Sequence, residues 1–391
     1  MRRVYAAVLV LLAVSILVPS FSVEAAWSGG TIVIREDGSV EPGDAPARRD
    51  GDVYVLTADV NIVSSTSGYA GGIFVLRDNV VVDGGNHLLR GAATGSHSSN
   101  PGISVGNRVG VKVRNIRIQD FMYGIHIYDS SGIEVAESVL KSNGHGIHIS
   151  DSSNNRIVMN IIEDNTFGIA IYGSRASNNE VAGNIVENNE NCGISISGRD
   201  NSIYLNIFIN NGPRGTQQVS PSPSANLWDD GLRGNYWSDY DGSDADGDGI
   251  GDTSYVINSK NIDRYPLMSR SRYFFVNAST SIGAVTGSGW YREDSTATVS
   301  IASTIVDKDF LNNYVFEGWM VDGEIVSASP DYSFVVNKPV TLVAGWRTEV
   351  KLVAIGLIVG VILITVVMLV VLITRRKRAP SPPPPPPPPP V

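Results

Sequence analysis

Asp244-Ala245-Asp246-Gly247-Asp248-Gly249-Ile250-Gly251-Asp252 is the most concentrated run of carboxylates in the chain. Three carboxylates at alternate positions, glycines for a sharp turn and a further carboxylate at Asp252 can wrap a hard cation in oxygen ligands. Calcium is the ion such a set suits. Asp239 and Asp241, just upstream, are further oxygen donors, while Tyr255 stands where a twelve-residue calcium loop carries its bidentate glutamate. The role expected of the ion is structural, and the competing reading is a solvated acidic turn.

A second set of chemistry-bearing residues recurs along the middle of the chain. His126 and His148 are 22 residues apart, as are Asp129 and Asp151, and Tyr128 and Tyr172 fall on the same count. Each histidine stands between isoleucines, as in Ile125-His126-Ile127, so strand alternation turns the isoleucines inward and the imidazoles outward. Aromatic rings can stack on sugar rings and carboxylates can bond their hydroxyls. His126, His148, Tyr128, Tyr172, Asp129 and Asp151 are therefore the candidate ligand-binding face, for carbohydrate or another cell-envelope component. A plain solvated outer face is the competing reading.

Imidazole also suits copper, but two ligands are too few for a site. His145 falls in a turn column with Tyr123 and Phe167, and Cys192, the only cysteine, reaches that column after an insertion and is expected to be buried. Asp129 and Asp151 would stack at ~4.8 Å, near the spacing of a retaining glycosidase pair, but any repeated Asp-Ser-Ser turn gives the same distance. The catalytic phrases of polygalacturonases and pectate lyases are missing, so no catalytic residue is assigned. A polysaccharide lyase or hydrolase stays an alternative, and a copper-handling periplasmic factor a second.

The element that must carry these residues is a repeat. Gly102-Ile103, Gly124-Ile125, Gly146-Ile147 and Gly168-Ile169 open the same phrase every 22 residues. Such a period means coils that bury their apolar face only by stacking on neighbours. Ile103, Ile125, Ile147 and Ile169 form one column, Val105, Ile127, Ile149 and Ile171 a second, and Ile118, Leu140 and Ile162 a third. Polar columns run beside them: Ser130, Ser152 and Ser174; Asn143 and Asn165; Asn160, Asn184 and Asn206. Stacked amides make hydrogen-bond ladders, and asparagine tolerates left-handed turn angles. Short β-branched strands with asparagine-rich turns predict an all-β fold, a right-handed parallel β-helix solenoid, over residues 26–227. Residues 228–268 are expected to close its C-terminal end with the acidic loop.

The ends place this rod at a membrane. Residues 1–25 read as a signal peptide, with Arg2 and Arg3 ahead of an apolar stretch and Val23-Glu24-Ala25 as the cleavage site. Residues 352–373 carry no charge and are long enough for one C-terminal transmembrane helix, and the basic cluster Arg375 to Arg378 should stay in the cytoplasm. The expected location is the cell membrane, single-pass, with the N-terminal ectodomain outside. Residues 374–391 form a basic and polyproline tail. Its nine prolines, Pro382 to Pro390, make a stiff spacer or a ligand for a proline-binding module. The exterior part carries 23 basic against 38 acidic residues, which argues against nucleic acid as a partner.

Between the rod and the helix, residues 271–348 alternate as strands at Thr296 to Ile301 and Val340 to Ala344, with a hairpin signal at Asp322-Gly323. Trp290, Trp319 and Trp346 are its expected core.

Three resemblances accompany these residues. The acidic spacing resembles a thrombospondin type 3 calcium loop. Asn235-Tyr236-Trp237-Ser238-Asp239-Tyr240, the acidic loop and Asp263-Arg264-Tyr265-Pro266-Leu267-Met268, with Asp78-Asn79-Val80-Val81-Val82-Asp83-Gly84 and the Gly-Ile phrases, resemble archaeal surface proteins with a NosD-type β-helix. That likeness spans roughly residues 30 to 268. It implies the pectate-lyase-like β-helix of carbohydrate-binding proteins and sugar hydrolases, while the copper-enzyme maturation behind the family name does not transfer with a fold. Gly289-Trp290-Tyr291, Phe316-Glu317-Gly318-Trp319, Tyr332-Ser333-Phe334 and Ala344-Gly345-Trp346 resemble a divergent internalin-type B-repeat, a β-rich module of surface proteins.

Overall fold

The computed structural model describes residues 26–63, 71–92, 100–215, 217–221 and 224–376. Residues 1–25, where a signal peptide is expected, and the tail from residue 377 onward lie outside the described residues. The chain divides into two compact units, Met1–Arg270 and Ser271–Val391.

Unit one is a parallel β-helix. Its coils contribute to three long sheets of nine, nine and eight strands, in which strands pair in parallel with their counterparts in the next coil, except for Val40–Glu41 and Ala47–Asp50, which add antiparallel edges. The face that carries the histidines runs through Ile73–Val75, Pro101–Gly106, Tyr123–Tyr128, His145–Ser150, Phe167–Tyr172, Cys192–Ile196 and Val219–Pro221. Pairing is in register: Ile103 faces Ile125, Ile125 faces Ile147, Ile147 faces Ile169 and Ile169 faces Ile194. All five are fully buried, and with the Val105 and Ile118 columns they form one continuous core.

The repeated glycines have a steric cause. A Cβ on Gly124 would lie 2.5 Å from the carbonyl oxygen of Gly146, and one on Gly146 would lie 2.7 Å from that of Gly168. Neighbouring coils pass too closely there for any side chain.

Three asparagine ladders fasten the corners. Asn143, Asn165, Asn189 and Asn211 form one; Asn160, Asn184, Asn206 and Asn235 a second; Asn155, Asn179, Asn201 and Asn226 a third. In each step the side-chain oxygen of one coil accepts the backbone N–H and the side-chain amide of the coil before it, as Asn184 does from Asn160 at 2.9 and 3.0 Å. Buried turn amides are thereby satisfied without water. The third ladder was not read from the sequence.

Two expectations need correction. Ser130 donates its N–H to Ser152 Oγ, but the serine column stops there: Ser174 is exposed and Ala176 takes the buried place. Two residues are inserted between Tyr172 and Asn179, which moves the register from 22 to 24. The left-handed seats also do not belong to the ladder asparagines. They belong to the residues just before, Ser142, Asp164, Asn188 and Asn210, and at another corner to Asn115, Glu137, Met159 and Leu205.

The C-terminal end is closed by continuing two ladders into residues 228–268. Asn226 N–H reaches Asn261, whose side-chain oxygen also accepts from the Trp228 indole, and Asn235 N–H and the Trp237 indole both donate to Asp263 Oδ2, at 2.7 and 2.8 Å. Trp237 stacks between Phe208 and Tyr255, with centroids 4.7 and 4.4 Å away. Burial raises the Asp263 carboxyl to about 6. Tyr255 and Asp239, both weighed for the acidic loop, are joined here by hydrogen bonds of 3.2 Å.

Unit two is a mixed β module and a helix. Gly289–Arg292, Tyr273–Thr280, Val340–Val350, Asn312–Val321 and Ile305–Asp307 lie side by side, and Glu324–Ser327 pairs with Asn312–Val321. Val285–Thr286, Thr296–Ile301 and Asp331–Val335 form a second sheet. Asp322-Gly323 makes the expected turn, both residues at positive φ. Trp319 is fully buried, but Trp290 and Trp346 are only partly so, a correction to a three-tryptophan core. The helix Leu352–Arg376 follows, and its stretch Ile355–Arg375 is long and apolar enough to cross a membrane.

Candidate functional site

The outward side of the histidine-bearing sheet is an aromatic surface. Register places His126 beside His148 on adjacent strands, and their rings stack at 5.0 Å with 9° between planes. Tyr123 lies 4.8 Å from each of them and 5.3 Å from His145. His145 in turn stacks on Phe167 at 4.8 Å. Tyr128 is tilted against His126 at 4.9 Å, and Tyr172 meets His148 edge-on at 5.6 Å. The Tyr172 hydroxyl donates to Ser195 Oγ at 2.6 Å, which fixes that ring over the next coil. Small residues flank the histidine column, with Ser104 on one side and Ala170 and Ser195 on the other.

Tyr123, His145 and Phe167 were read as a turn column apart from the site. They are the first residues of six-residue strands, and they join the outward surface because the backbone at Gly124, Gly146 and Gly168 is held against the next coil. Their 22-residue spacing makes the column legible in the sequence, but not that it faces outward with the histidines.

The three imidazoles are kept neutral. Burial lowers His126; burial, then the neighbouring rings, lowers His145 to about 4 and His148 to about 3. The Nδ1 atoms of His145 and His148 are buried without a hydrogen-bond partner. Neutral imidazole is the metal-binding form. No three donors of this stack gather within 4.8 Å of one another, so it falls short of a closed copper set. Cys192, two coils from His145 in the same column, is buried and its thiol is pushed up to about 12. That is the wrong direction for a thiolate ligand.

Asp129 and Asp151 sit at strand ends with left-handed backbones. Arg175, brought in by the two-residue insertion, ion-pairs with Asp129, lies 3.9 Å from Asp151 and donates its backbone N–H to Asp151 at 3.2 Å. The two carboxylates are therefore tied to one guanidinium instead of forming a free acid and base pair. Nothing in the sequence pointed to Arg175, because it lies outside the period.

In the acidic loop, Asp244, Asp246 and Asp248 bring one carboxylate oxygen each within 4.8 Å of one another. Asp252 is outside that group but reaches back to the start of the loop, where it accepts the Ala245 N–H at 2.8 Å. Asp244 holds the turn by accepting from Gly247 N–H and Gly249 N–H at 2.7 and 2.9 Å.

Residues 50–242 match the family model described as periplasmic copper-binding protein (NosD). The match contains the aromatic face and stops before the acidic loop. A probable ABC transporter binding protein NosD of Pseudomonas aeruginosa is 44% identical over 72 residues, 18% of this chain and 16% of that protein. Its counterpart in Stutzerimonas stutzeri is 41% identical over 88 residues, 21% of this chain and 19% of that protein. The chain thus spans less than a fifth of the length of these curated relatives. Among solved structures, ORF18 of Geobacillus virus E2 aligns with 12% identity and a TM-score of 0.29, covering 77% of this chain and 68% of that one.

Proposed function

We propose that this chain is a cell-envelope protein, held by its C-terminal helix with the β-helix outside, that binds carbohydrate on the aromatic face. The observation that carries the proposal is the unbroken set of ring contacts, 4.8 to 5.6 Å apart, through Tyr128, His126, Tyr123, His148 and Tyr172. Stacked rings partly open to water along their edges offer apolar surface to a sugar, and Asp129, Asp151 and Arg175 at one margin offer partners for its hydroxyls. The test is a panel of envelope and extracellular glycans presented to the full chain in detergent. Retention that is lost in Tyr172→Ala and His148→Ala supports the reading. Cleavage of a glycan chain would instead favour a lyase or hydrolase, and neither retention nor cleavage would leave a purely architectural rod.

Copper handling is the second reading, favoured by the family model's description and by imidazoles that stay neutral. Stoichiometric copper binding lost in a His126→Ala, His148→Ala double variant would establish it over the first. The same proposal gives Asp244, Asp246 and Asp248 a structural calcium ion, since three carboxylates this close repel one another without a cation.

A further inference from the structure

The turn between Ile305–Asp307 and Asn312–Val321 exposes a pair of large apolar side chains, with Phe310 75% and Leu311 43% exposed. The turn is rigid. Asp309 Oδ1 accepts the N–H groups of Leu311 and Asn312, both at 2.8 Å, and the N–H groups of Lys308 and Asp309 both donate to the Asn312 carbonyl at 3.2 Å. Its position is set by the last residue before the helix. Lys351 N–H donates to the Leu311 carbonyl at 2.8 Å, and Lys351 Nζ pairs with Asp307 at 3.1 Å. Asn312 lies opposite Val350 in the sheet.

We infer that Phe310 and Leu311 are a membrane-interface anchor, immersed in the headgroup region of the phospholipid bilayer that the helix enters. This rests on the membrane-anchor reading of the helix. The 21 residues Ile355–Arg375 span ~31 Å, which is the full thickness of a hydrocarbon core. Lys351 is then at the lipid–water boundary, and whatever is hydrogen-bonded to its backbone is there too. Val350 and Leu352, 52% and 85% exposed, continue the apolar rim. An exposed phenylalanine at that depth is covered by lipid instead of water.

The charges around the turn are already balanced. Asp307 is paired with Lys351, Asp309 caps the turn, Lys308 bonds Thr348 Oγ1 and lies over the Tyr314 ring, and Arg347 pairs with Glu349. Apolar insertion, not attraction to anionic lipid, holds the turn, so zwitterionic lipid suffices.

The chain suits a labelling test because its one native thiol, Cys192, is buried and held as thiol. Full-length Phe310→Cys and Asp322→Cys are labelled with a polarity-sensitive fluorophore and reconstituted into phosphatidylcholine vesicles. Asp322 lies at the far end of the ten-residue strand Asn312–Val321, ~30 Å from the anchor. Expected is a blue-shifted emission at position 310 that is quenched by lipid-borne and not by aqueous quencher, at low and high salt alike, with the reverse pattern at 322. Alkaline extraction, run in parallel, reports the helix alone. A chain that resists extraction while its label at 310 answers to the aqueous quencher overturns the inference and leaves the anchor standing. A chain released by extraction refutes the anchor and the inference with it.

Discussion

Acidification reads the histidine stack directly. The folded chain holds His145 down at about 4 and His148 at about 3. In the unfolded chain each ring takes up its proton near an ordinary ~6.5. Because the folded values are depressed, the stability associated with neutral rings is present above ~6.5 and is lost as pH falls towards the folded values. At about pH 4.5, full linkage would cost ~2.5 kcal/mol per ring, and since both rings are partly open to water, roughly half of that is expected. Asp263 works in the opposite sense. Its carboxyl is raised to about 6, so the stability attached to its protonation is complete below the unfolded carboxylate value and is lost as pH rises through ~6.

A bare pH profile therefore mixes two opposed terms, and the comparison must be between variants. His145→Phe installs the ring that Phe167 supplies in the next coil, and His148→Ala installs the side chain of Ala170. Denaturant midpoints of the full chain in detergent, parent against double variant, are measured at about pH 7.5 and 4.5. The double variant should gain roughly 2 to 3 kcal/mol on its parent between the two conditions. If parent and variant lose stability in parallel, the rings are not withheld from protons and the burial argument fails.

Four further outcomes follow, three from the coil geometry and one from the acidic loop. Asn184→Ala removes the acceptor of the Asn160 N–H and donors to the carbonyls of Ile157 and Ala182, inside a fully buried corner, and should cost on the order of 3 kcal/mol by the same midpoint measurement. Gly146→Ala puts a methyl 2.6 Å from Ile162 Cγ2 and 2.7 Å from the Gly168 carbonyl oxygen, for a loss of at least ~1 to 3 kcal/mol in thermal or denaturant unfolding. Met159→Asn seats in a left-handed corner, φ 57°, the residue its column already has at Asn115, and should raise the midpoint by about 0.5 to 1 kcal/mol. Calcium should raise the melting temperature of the parent and leave an Asp244→Asn, Asp246→Asn, Asp248→Asn variant unmoved; a parent insensitive to calcium and to chelator removes the ion from the loop.

What the sequence made legible is what the period repeats. A column such as Ile103, Ile125, Ile147 and Ile169 can be read without coordinates because strand stacking turns a fixed count into contact, and the same holds for the outward His126 and His148. The glycines were legible as a marker, but their cause, a carbonyl of the next coil where a Cβ would stand, was not. Misreadings arose where one position does two jobs. A ladder asparagine and the left-handed residue before it are neighbours in one turn, so composition attributed both properties to the asparagine, while Met159 and Leu205 show that the left-handed seat tolerates residues no propensity would choose.

The least legible part of the candidate site lies where the repeat is interrupted. The two residues inserted after Tyr172 end the serine ladder at Ala176, push Ser174 into solvent and swing Arg175 across to Asp151 and Asp129, one and two coils back. Stacking alone would have left those carboxylates beside each other as like charges, and here the aperiodic Arg175 supplies the guanidinium that joins them. The flat aromatic columns are thus the work of the repeat, whereas the polar margin that would orient a bound sugar depends on its interruption. Arg175→Ala should consequently change which glycans are retained while Tyr172→Ala abolishes retention altogether, and identical effects of the two substitutions in the glycan panel would deny this division of labour.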